Sequence, residues 1–483
     1  MAEAVVEERQ LLKAIRWYDG FVVALANPGF LIGFLGYSIG ALGGWGAFVL
    51  WTISAVMATL QNWVYAESAT MFPDKSGGIS LYAHEGWRRY FNLIGPIATF
   101  GYWFAWSSVL AIFGATVGGL VQAEWFPSQD WTVDLAFIDI TFSRMVAAGL
   151  IILVWLFNIF GVRPAVWFGY VTGVLLLIPL AVFIILPYLT GDWSSANMDW
   201  GSLDDGGTLR LAITWLYLMA WSAYGVETCA VFAPEYHDTV RDTSLALKTS
   251  AVFSLVVYAL LPIGAAGVVG TEGAAADPVA FYVPAFEEIL GGAGGGIMVF
   301  LLIASLVLSM NTATMDGSRA LYGIAKDDMT VKQLAHLNRH HVPGRAMTVD
   351  MVVNLVLLFS LTSTLAILAA GNLGYVLAHV FALSAFVLLR RDRPDAPRPI
   401  RLASYWVPIA VILAVLNLLF AVVGSVSFSL TGYGGYRQLF VGIGILLISV
   451  LLFLYRRIVQ DKAPLTFRDR IDPAVVGASR REM

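Results

Sequence analysis

Apolar residues along this chain gather into long runs separated by short polar stretches. Each run is about 19 to 31 residues long, and about 20 helical residues cross a hydrocarbon core of about 30 Å. The pattern predicts twelve membrane spans, at 18–44, 46–72, 94–121, 143–162, 164–190, 209–234, 247–270, 294–324, 346–370, 372–390, 404–424 and 438–457. Two of them are interrupted. Span 1 carries Asn27-Pro28-Gly29, and span 6 carries Trp221-Ser222-Ala223-Tyr224-Gly225-Val226-Glu227. Lipid cannot hydrogen-bond a stray amide, so irregular backbone at membrane depth survives only against protein or a watery cavity.

Composition agrees with a membrane solvent. The 483 residues are 58% apolar and 13% charged, with a mean hydropathy of +0.75. Soluble proteins carry roughly twice that charge, about 25%. One domain of packed helices is therefore expected, not several soluble domains. The net charge of −4 says little, but its distribution says much. With the N-terminus inside, all of the 29 Lys and Arg except Arg144, Arg210 and Arg437 fall on the cytoplasmic side. The long loops on the other side are acidic: Glu124, Asp130, Asp134 and Asp139; Asp192, Asp199, Asp204 and Asp205; Glu272, Asp277, Glu287 and Glu288. This is the positive-inside pattern, and one span more or fewer would spoil it. It predicts a multi-pass plasma-membrane protein with both termini cytoplasmic. The first 17 residues are mixed in charge and show no cleavable signal, which leaves span 1 as the insertion signal. Cys229 is the only cysteine, so disulfides within the chain are excluded.

Broken helices whose ends meet at the midplane are the solute sites of secondary transporters. Their places here, in spans 1 and 6, imply five spans, five more, and two extra. An odd number per repeat inverts the second repeat. The expected fold is thus an all-α membrane protein with a five-plus-five inverted repeat and two additional helices. Its parts are a cytoplasmic segment at 1–17, a transport core at 18–400 with repeats at 18–190 and 209–390, spans 11 and 12 at 401–457, and a mobile cytoplasmic tail at 458–483. Gly29, Gly33, Gly36 and Gly40 give span 1 a small-residue stripe suited to close helix packing. Asp277–Leu290 reads as a short amphipathic helix on the outer surface, and the glycine run Gly291–Gly296 opens span 8.

Five blocks of sequence, in order, resemble the amino acid–polyamine–organocation transporters. They are Tyr65-Ala66-Glu67-Ser68-Ala69-Thr70-Met71-Phe72-Pro73 with Ser76-Gly77-Gly78 and Tyr82, then Asn158–Ala165, Ala220–Glu235, Asn311–Asp328 and Leu388–Leu402. The resemblance implies a permease or exchanger that works by alternating access on amino acids or amines. It also implies a solute site around Ala26, Asn27, Pro28, Gly29, Phe30, Trp221, Ser222, Tyr224 and Gly225. Members often place a Gly-Ser-Gly-like sequence at the first break, whose amides hold a carboxylate. Here Pro28 has no N–H. The amides of Gly29 and Phe30 and the half-helix dipole remain, and a decarboxylated amine gains weight.

Trp221 is a candidate gate that stacks over the solute, where an aromatic plane can attract an ammonium by about 1–2 kcal/mol. Core packing is the competing reading. Glu227, a carboxylate inside a span, is a candidate gate lock, amine contact or proton carrier, or else a neutral acid tied to backbone. Glu67 is expected to tie to Arg319 or another inner cation. Ser305, Ser309 and Thr312 could supply oxygens for a sodium site, although such hydroxyls also bond within their own helix. The Lys that serves proton coupling in some relatives matches a position near Leu176 here. Proton, sodium and simple exchange all stay open as coupling modes. No cofactor or metal site is expected, and nucleic acid is excluded as a partner. The basic cluster Arg390–Arg401 reads as membrane-surface anchoring. A transporter-like receptor or channel is the alternative function. A membrane-embedded enzyme is further off, since no nucleophile, acid and base converge.

Overall fold

A computed structural model describes residues 10–135, 138–203, 209–291, 294–360 and 364–469. Its helices, in chain order, are α1 (Trp17–Ala24), α2 (Ala26–Met71), α3 (Gly78–Trp87), α4 (Ile94–Ser107), α5 (Val109–Trp125), α6 (Phe142–Ile159), α7 (Val162–Thr190), α8 (Leu209–Ala223), α9 (Thr239–Ala276), α10 (Tyr282–Leu290), α11 (Gly295–Lys326), α12 (Gly344–Ser360), α13 (Thr364–Asp392), α14 (Trp406–Gly424) and α15 (Tyr436–Tyr455). Among the described residues, nine helical stretches are long and apolar enough to cross a membrane. The protein is a multi-pass, mostly helical membrane protein.

The 46 residues of α2 would extend about 70 Å as one straight rod, more than twice a hydrocarbon core. They form two arms instead, joined at Gly43, whose φ of 73° and ψ of 170° suit only glycine. The Trp51 indole donates to Ser38 Oγ at 2.8 Å, which places the arms side by side. Gly270 makes the matching turn in α9, with φ 71° and ψ 174°. Asn197 Nδ2 bonds the carbonyls of Gly267 and Val268 there, each at 2.9 Å, satisfying groups that the kink releases. Helix α2 packs along α9, and α11 lies among α4, α5 and α7.

One face of the bundle gathers the acidic loops. There Thr271 Oγ1 donates to Asp199 Oδ1 at 2.7 Å. Asp204, Asp205 and 292–293 of the glycine run lie outside the described residues. The opposite face gathers ion-paired basic residues such as Lys75, Arg88 and Arg390, and the matched sequence blocks touch one another. Asn158 Nδ2 donates to Asn311 Oδ1 at 2.9 Å, and Ser76 Oγ donates to the Val231 carbonyl at 3.0 Å. The blocks are thus joined across the fold, the first pair side chain to side chain and the second side chain to backbone.

Several expectations need correction. The predicted boundary between spans 9 and 10 at Gly371 falls inside α13, which begins at Thr364. Gly371 does not end a helix. A Cβ there would stand 3.2 Å from Ala105 Cα, so glycine serves the close crossing of α13 and the α4–α5 region. The all-α expectation misses a small hairpin, β1 (Thr132–Leu135) with β2 (Ile138–Thr141), registered Thr132 with Thr141. The outer amphipathic helix is shorter than predicted and spans Tyr282–Leu290. The tail is not free over its first part: the Asn92 N–H donates to the Phe467 carbonyl at 2.9 Å, and Arg88 pairs with Asp469. Residues 470–483 lie outside the described residues.

Candidate functional site

The first interruption lies earlier than predicted. The helix breaks at Leu25, between α1 and α2, while Asn27, Pro28 and Gly29 form the first turn of α2. Pro28 is the third residue of that helix, where a backbone N–H has no intrahelical partner to lose, so proline starts the helix without breaking it. Phe30 is the fifth residue, and its amide falls within the helix's own ladder. The expected free donor at Phe30 is therefore withdrawn. Gly29 is where α2 crosses α11: an added Cβ would stand 2.9 Å from the Ser305 carbonyl and collide with Ser309 Oγ.

The second interruption lies at Tyr224, within the predicted stretch. Beyond it the backbone does not return to an α-helix but winds as a 3₁₀ helix over the 11 residues Gly225–Glu235. Such helices rarely exceed three or four residues, and a long one marks a functional hinge or strain. Gly225 admits the rings of Phe30 and Trp106, which would lie 3.3 and 3.4 Å from a Cβ.

The two breaks touch. Asn27 Nδ2 donates to the Ala223 carbonyl at 3.2 Å. Tyr258 of α9 stitches them further, its hydroxyl lying 2.9 Å from the Asn27 carbonyl, 3.0 Å from the Ser222 carbonyl and 2.8 Å from Ser222 Oγ. Ala26 is fully buried, and its carbonyl accepts from Ser309 Oγ at 3.1 Å. Thr312 Oγ1 donates to the Val23 carbonyl at 3.0 Å. Ser305 Oγ turns back to the Leu301 carbonyl of its own helix at 2.8 Å. Two of the three candidate ion-site hydroxyls thus bond carbonyls that flank the break, and the third does not.

Trp221 fills the space above the breaks. Its ring lies 5.0 Å from that of Phe30 and 5.3 Å from that of Phe34, and its Nε1 donates to the Ala105 carbonyl at 3.3 Å. Toward the acidic face a small cavity of about 30 Å³ opens over this ring, walled by Phe34, Tyr37, Trp51, Trp215, Trp221 and Tyr433 among others. No charged side chain lines it. Tyr224 points the other way, its ring edge-on to His379 at 4.9 Å.

Glu227 is fully buried. One oxygen, Oε1, accepts from Tyr375 OH at 2.6 Å and from Trp106 Nε1 at 3.2 Å, and Oε2 has no partner among the described residues. Glu67 behaves differently. It pairs with Arg390 at 2.5 Å and Arg398 at 3.4 Å, not with Arg319, which is held by Glu235. The Arg390–Arg401 cluster is thus partly spent on ion pairs within the protein instead of at a membrane surface. Leu176 is buried in α7.

Sequence reasoning missed Tyr258 and Tyr375, which only the packing of α9 and α13 brings to the breaks. It also passed over Asp316 and Asp350, although the rule that selected Glu227, an ionisable residue inside an apolar span, selects them equally.

Comparison with known proteins agrees with this geometry. Residues 20–451 match the family described as amino acid permease. The chain is 22% identical to a gamma-aminobutyric acid permease of Bacillus subtilis (strain 168), over 86% of this chain and 88% of that one. It is 24% identical to an arginine/ornithine antiporter of Lactococcus lactis subsp. cremoris (strain MG1363), over 59% of each. It is 26% identical to a polyamine transporter of Oryza sativa subsp. japonica, over 79% of this chain and 69% of that one. With nearly its whole length matched, the chain belongs to the amino acid permease family and is an integral membrane transporter of that family.

Proposed function

We propose that the chain is a secondary transporter that moves an amino acid or a related amine across the plasma membrane by alternating access. In this reading it has twelve spans with both termini cytoplasmic, and its core is an inverted five-plus-five repeat over 18–400. The contact between the breaks at Leu25 and Tyr224 carries the proposal, because unlike parts of two helices meet there at membrane depth. The relatives are named for gamma-aminobutyric acid, for arginine and ornithine, and for polyamines, all of which carry an amine. The aromatic cavity over Trp221 suits an ammonium group, which aromatic faces attract and the acidic face would concentrate. Pro28 removes one amide that could hold a carboxylate, which shifts weight toward an amine. In this scheme Trp221 separates the cavity from the solute and Glu227 faces the space beneath it.

Counterflow tests the reading. Purified protein in proteoliposomes preloaded with gamma-aminobutyric acid, arginine or putrescine should speed the entry of the same labelled solute. A thermal-shift screen over amino acids and amines extends the choice of probe. Binding without accelerated exchange would favour a receptor, and flux without exchange would favour a channel.

A further inference from the structure

Three acids lie in the bundle without a cation. Glu227, Asp316 and Asp350 are each fully buried, and among the described residues none forms an ion pair. The other deeply buried glutamates all have one: Glu67 with Arg390, Glu85 with Lys75 at 2.7 Å, and Glu235 with Arg319. Asp242, less deeply buried, accepts from the Asp238 N–H in the first turn of α9. An uncompensated carboxylate at membrane depth is expensive and is retained for function by default.

A single helix holds all three. Along α4, Tyr102 OH donates to Asp316 Oδ1 at 2.8 Å, Trp103 Nε1 donates to Asp350 Oδ1, and Trp106 Nε1 donates to Glu227 Oε1 at 3.2 Å. In each acid the first oxygen is engaged, and the second has no partner: Glu227 Oε2, Asp316 Oδ2 and Asp350 Oδ2. The groups are linked in sequence. Thr228, next to Glu227, donates to Asp316 Oδ1 at 2.9 Å. A Cβ on Gly317, next to Asp316, would stand 3.5 Å from Asp350 Oδ2. Asp316 lies ten residues before the end of α11, about 15 Å by helical rise, and Asp350 six residues after the start of α12, about 9 Å. The row therefore descends from the break toward the basic face. The titratable and charged groups around Asp316 are Tyr102 on α4, Glu227 on the 3₁₀ helix, Asp350 on α12, Tyr375 on α13 and Arg319 on its own helix. Arg319 is committed elsewhere, with Nε and Nη2 on Glu235 and Nη1 on the Met315 carbonyl.

We propose that Asp316 and Asp350, with Glu227, form the path by which a proton accompanies the solute, and that Asp316 is the member on which coupling depends. The proposal rests on the transporter reading above and names its coupling ion. A proton bound on Glu227 moves to Asp316 and then to Asp350, and leaves at the basic face. Each transfer breaks one O–H bond and forms another; release of the proton from Asp350 to water at the basic face is balanced by uptake of a new proton on Glu227, so the charge of the row is the same over a full cycle. The unengaged oxygens are the acceptors. Tyr102 is a positioning residue that fixes the orientation of Asp316.

Two experiments test this, one without any solute. The infrared pH-difference spectrum of the purified wild-type protein should contain titrating carboxylic-acid carbonyl bands, and Asp316→Asn and Asp350→Asn should each remove one. If Glu227→Gln alone removes every such band from the buried set, the row does not exist. In proteoliposomes with gamma-aminobutyric acid, arginine or putrescine, an inward-directed gradient of one pH unit should drive about tenfold accumulation per proton, since one unit equals about 1.4 kcal/mol. D316N should lose that accumulation yet keep counterflow within about twofold. Counterflow in the wild type with no response to a pH gradient, or with accumulation driven by sodium, would overturn the proton path while leaving the transporter reading intact. Absence of counterflow in the wild type would overturn that reading itself. Proton-driven accumulation by a folded D316N equal to that of the wild type would remove Asp316 from the path.

Discussion

Two sets of buried acids, one paired at the basic face and one in a row from the helix break toward that face, are treated in opposite ways. Glu67, Glu85 and Glu235 each meet arginine or lysine, while Glu227, Asp316 and Asp350 are held by the hydroxyl and indole donors of Tyr102, Trp103, Trp106, Thr228 and Tyr375. The first set joins distant segments: Glu67 of α2 holds Arg390 of α13 and Arg398 beyond it, and Glu235 holds Arg319 of α11. Such pairs fasten a closed face, because separating them strands a charge. Among the described residues the second set forms no ion pair, so a proton or an amine can change its state without tearing a pair apart. One region is built to hold and the other to respond.

The largest effect expected from this contrast is on stability. Arg319→Met leaves Glu235 buried and unpaired, and breaking such a pair typically costs about 3–5 kcal/mol. A melt in detergent should show a large drop or no folded protein, whereas Glu227→Gln should melt close to wild type. Equal losses in the two variants would erase the distinction. Next in size is Trp221→Ala, which removes the ring between the aromatic cavity and the breaks. Solute affinity should weaken about tenfold, which corresponds to about 1.4 kcal/mol of lost contact, and near-normal uptake would take Trp221 out of the gate. Tyr258→Phe should cost about 1–3 kcal/mol, as expected when buried acceptors lose their donor. The loss should appear as faster local hydrogen exchange around Asn27 and Ser222, and unchanged exchange there would mean the breaks are held by packing alone.

The smallest effect is that of acid on the basic face. Burial acts to raise the Glu85 carboxyl, but Lys75 and Arg88 outweigh it and hold the group well below its ordinary value of 4.5. A depressed carboxyl adds stability above its ordinary value and loses it as pH falls further. The melting temperature should therefore decline progressively below about pH 4.5, and Glu85→Gln should flatten that decline.

Much of this was legible in the sequence. The 3.6-residue geometry of a helix and the thickness of a bilayer fix span lengths, and the charge asymmetry of the loops fixes two faces, because both follow from local composition. The break in span 6 could be placed for the same reason, since Tyr224-Gly225 and a buried Glu227 are local signals. The break in span 1 was misplaced by two residues. Asn-Pro-Gly reads as a turn in isolation, whereas Pro28 suits the first turn of a helix equally well. Gly371 reads as a boundary because sequence does not show whether a glycine ends a helix or admits a neighbour. The partner of Glu67 was open among several inner cations, and only the return of α13 to α2 selects Arg390 over Arg319.

The sequence by itself determined that this chain lives in a bilayer, which way its charges divide, and that polar backbone is released in two of its helices. Those facts depend on each segment and the solvent around it. Tertiary structure alone decided which acids are neutralised and which are left to respond, because that depends on donors more than 100 residues away, such as Trp106 for Glu227 and Tyr102 for Asp316. A carboxyl group in a span is visible as a cost from its own position. Its use is set by the partner that packing delivers.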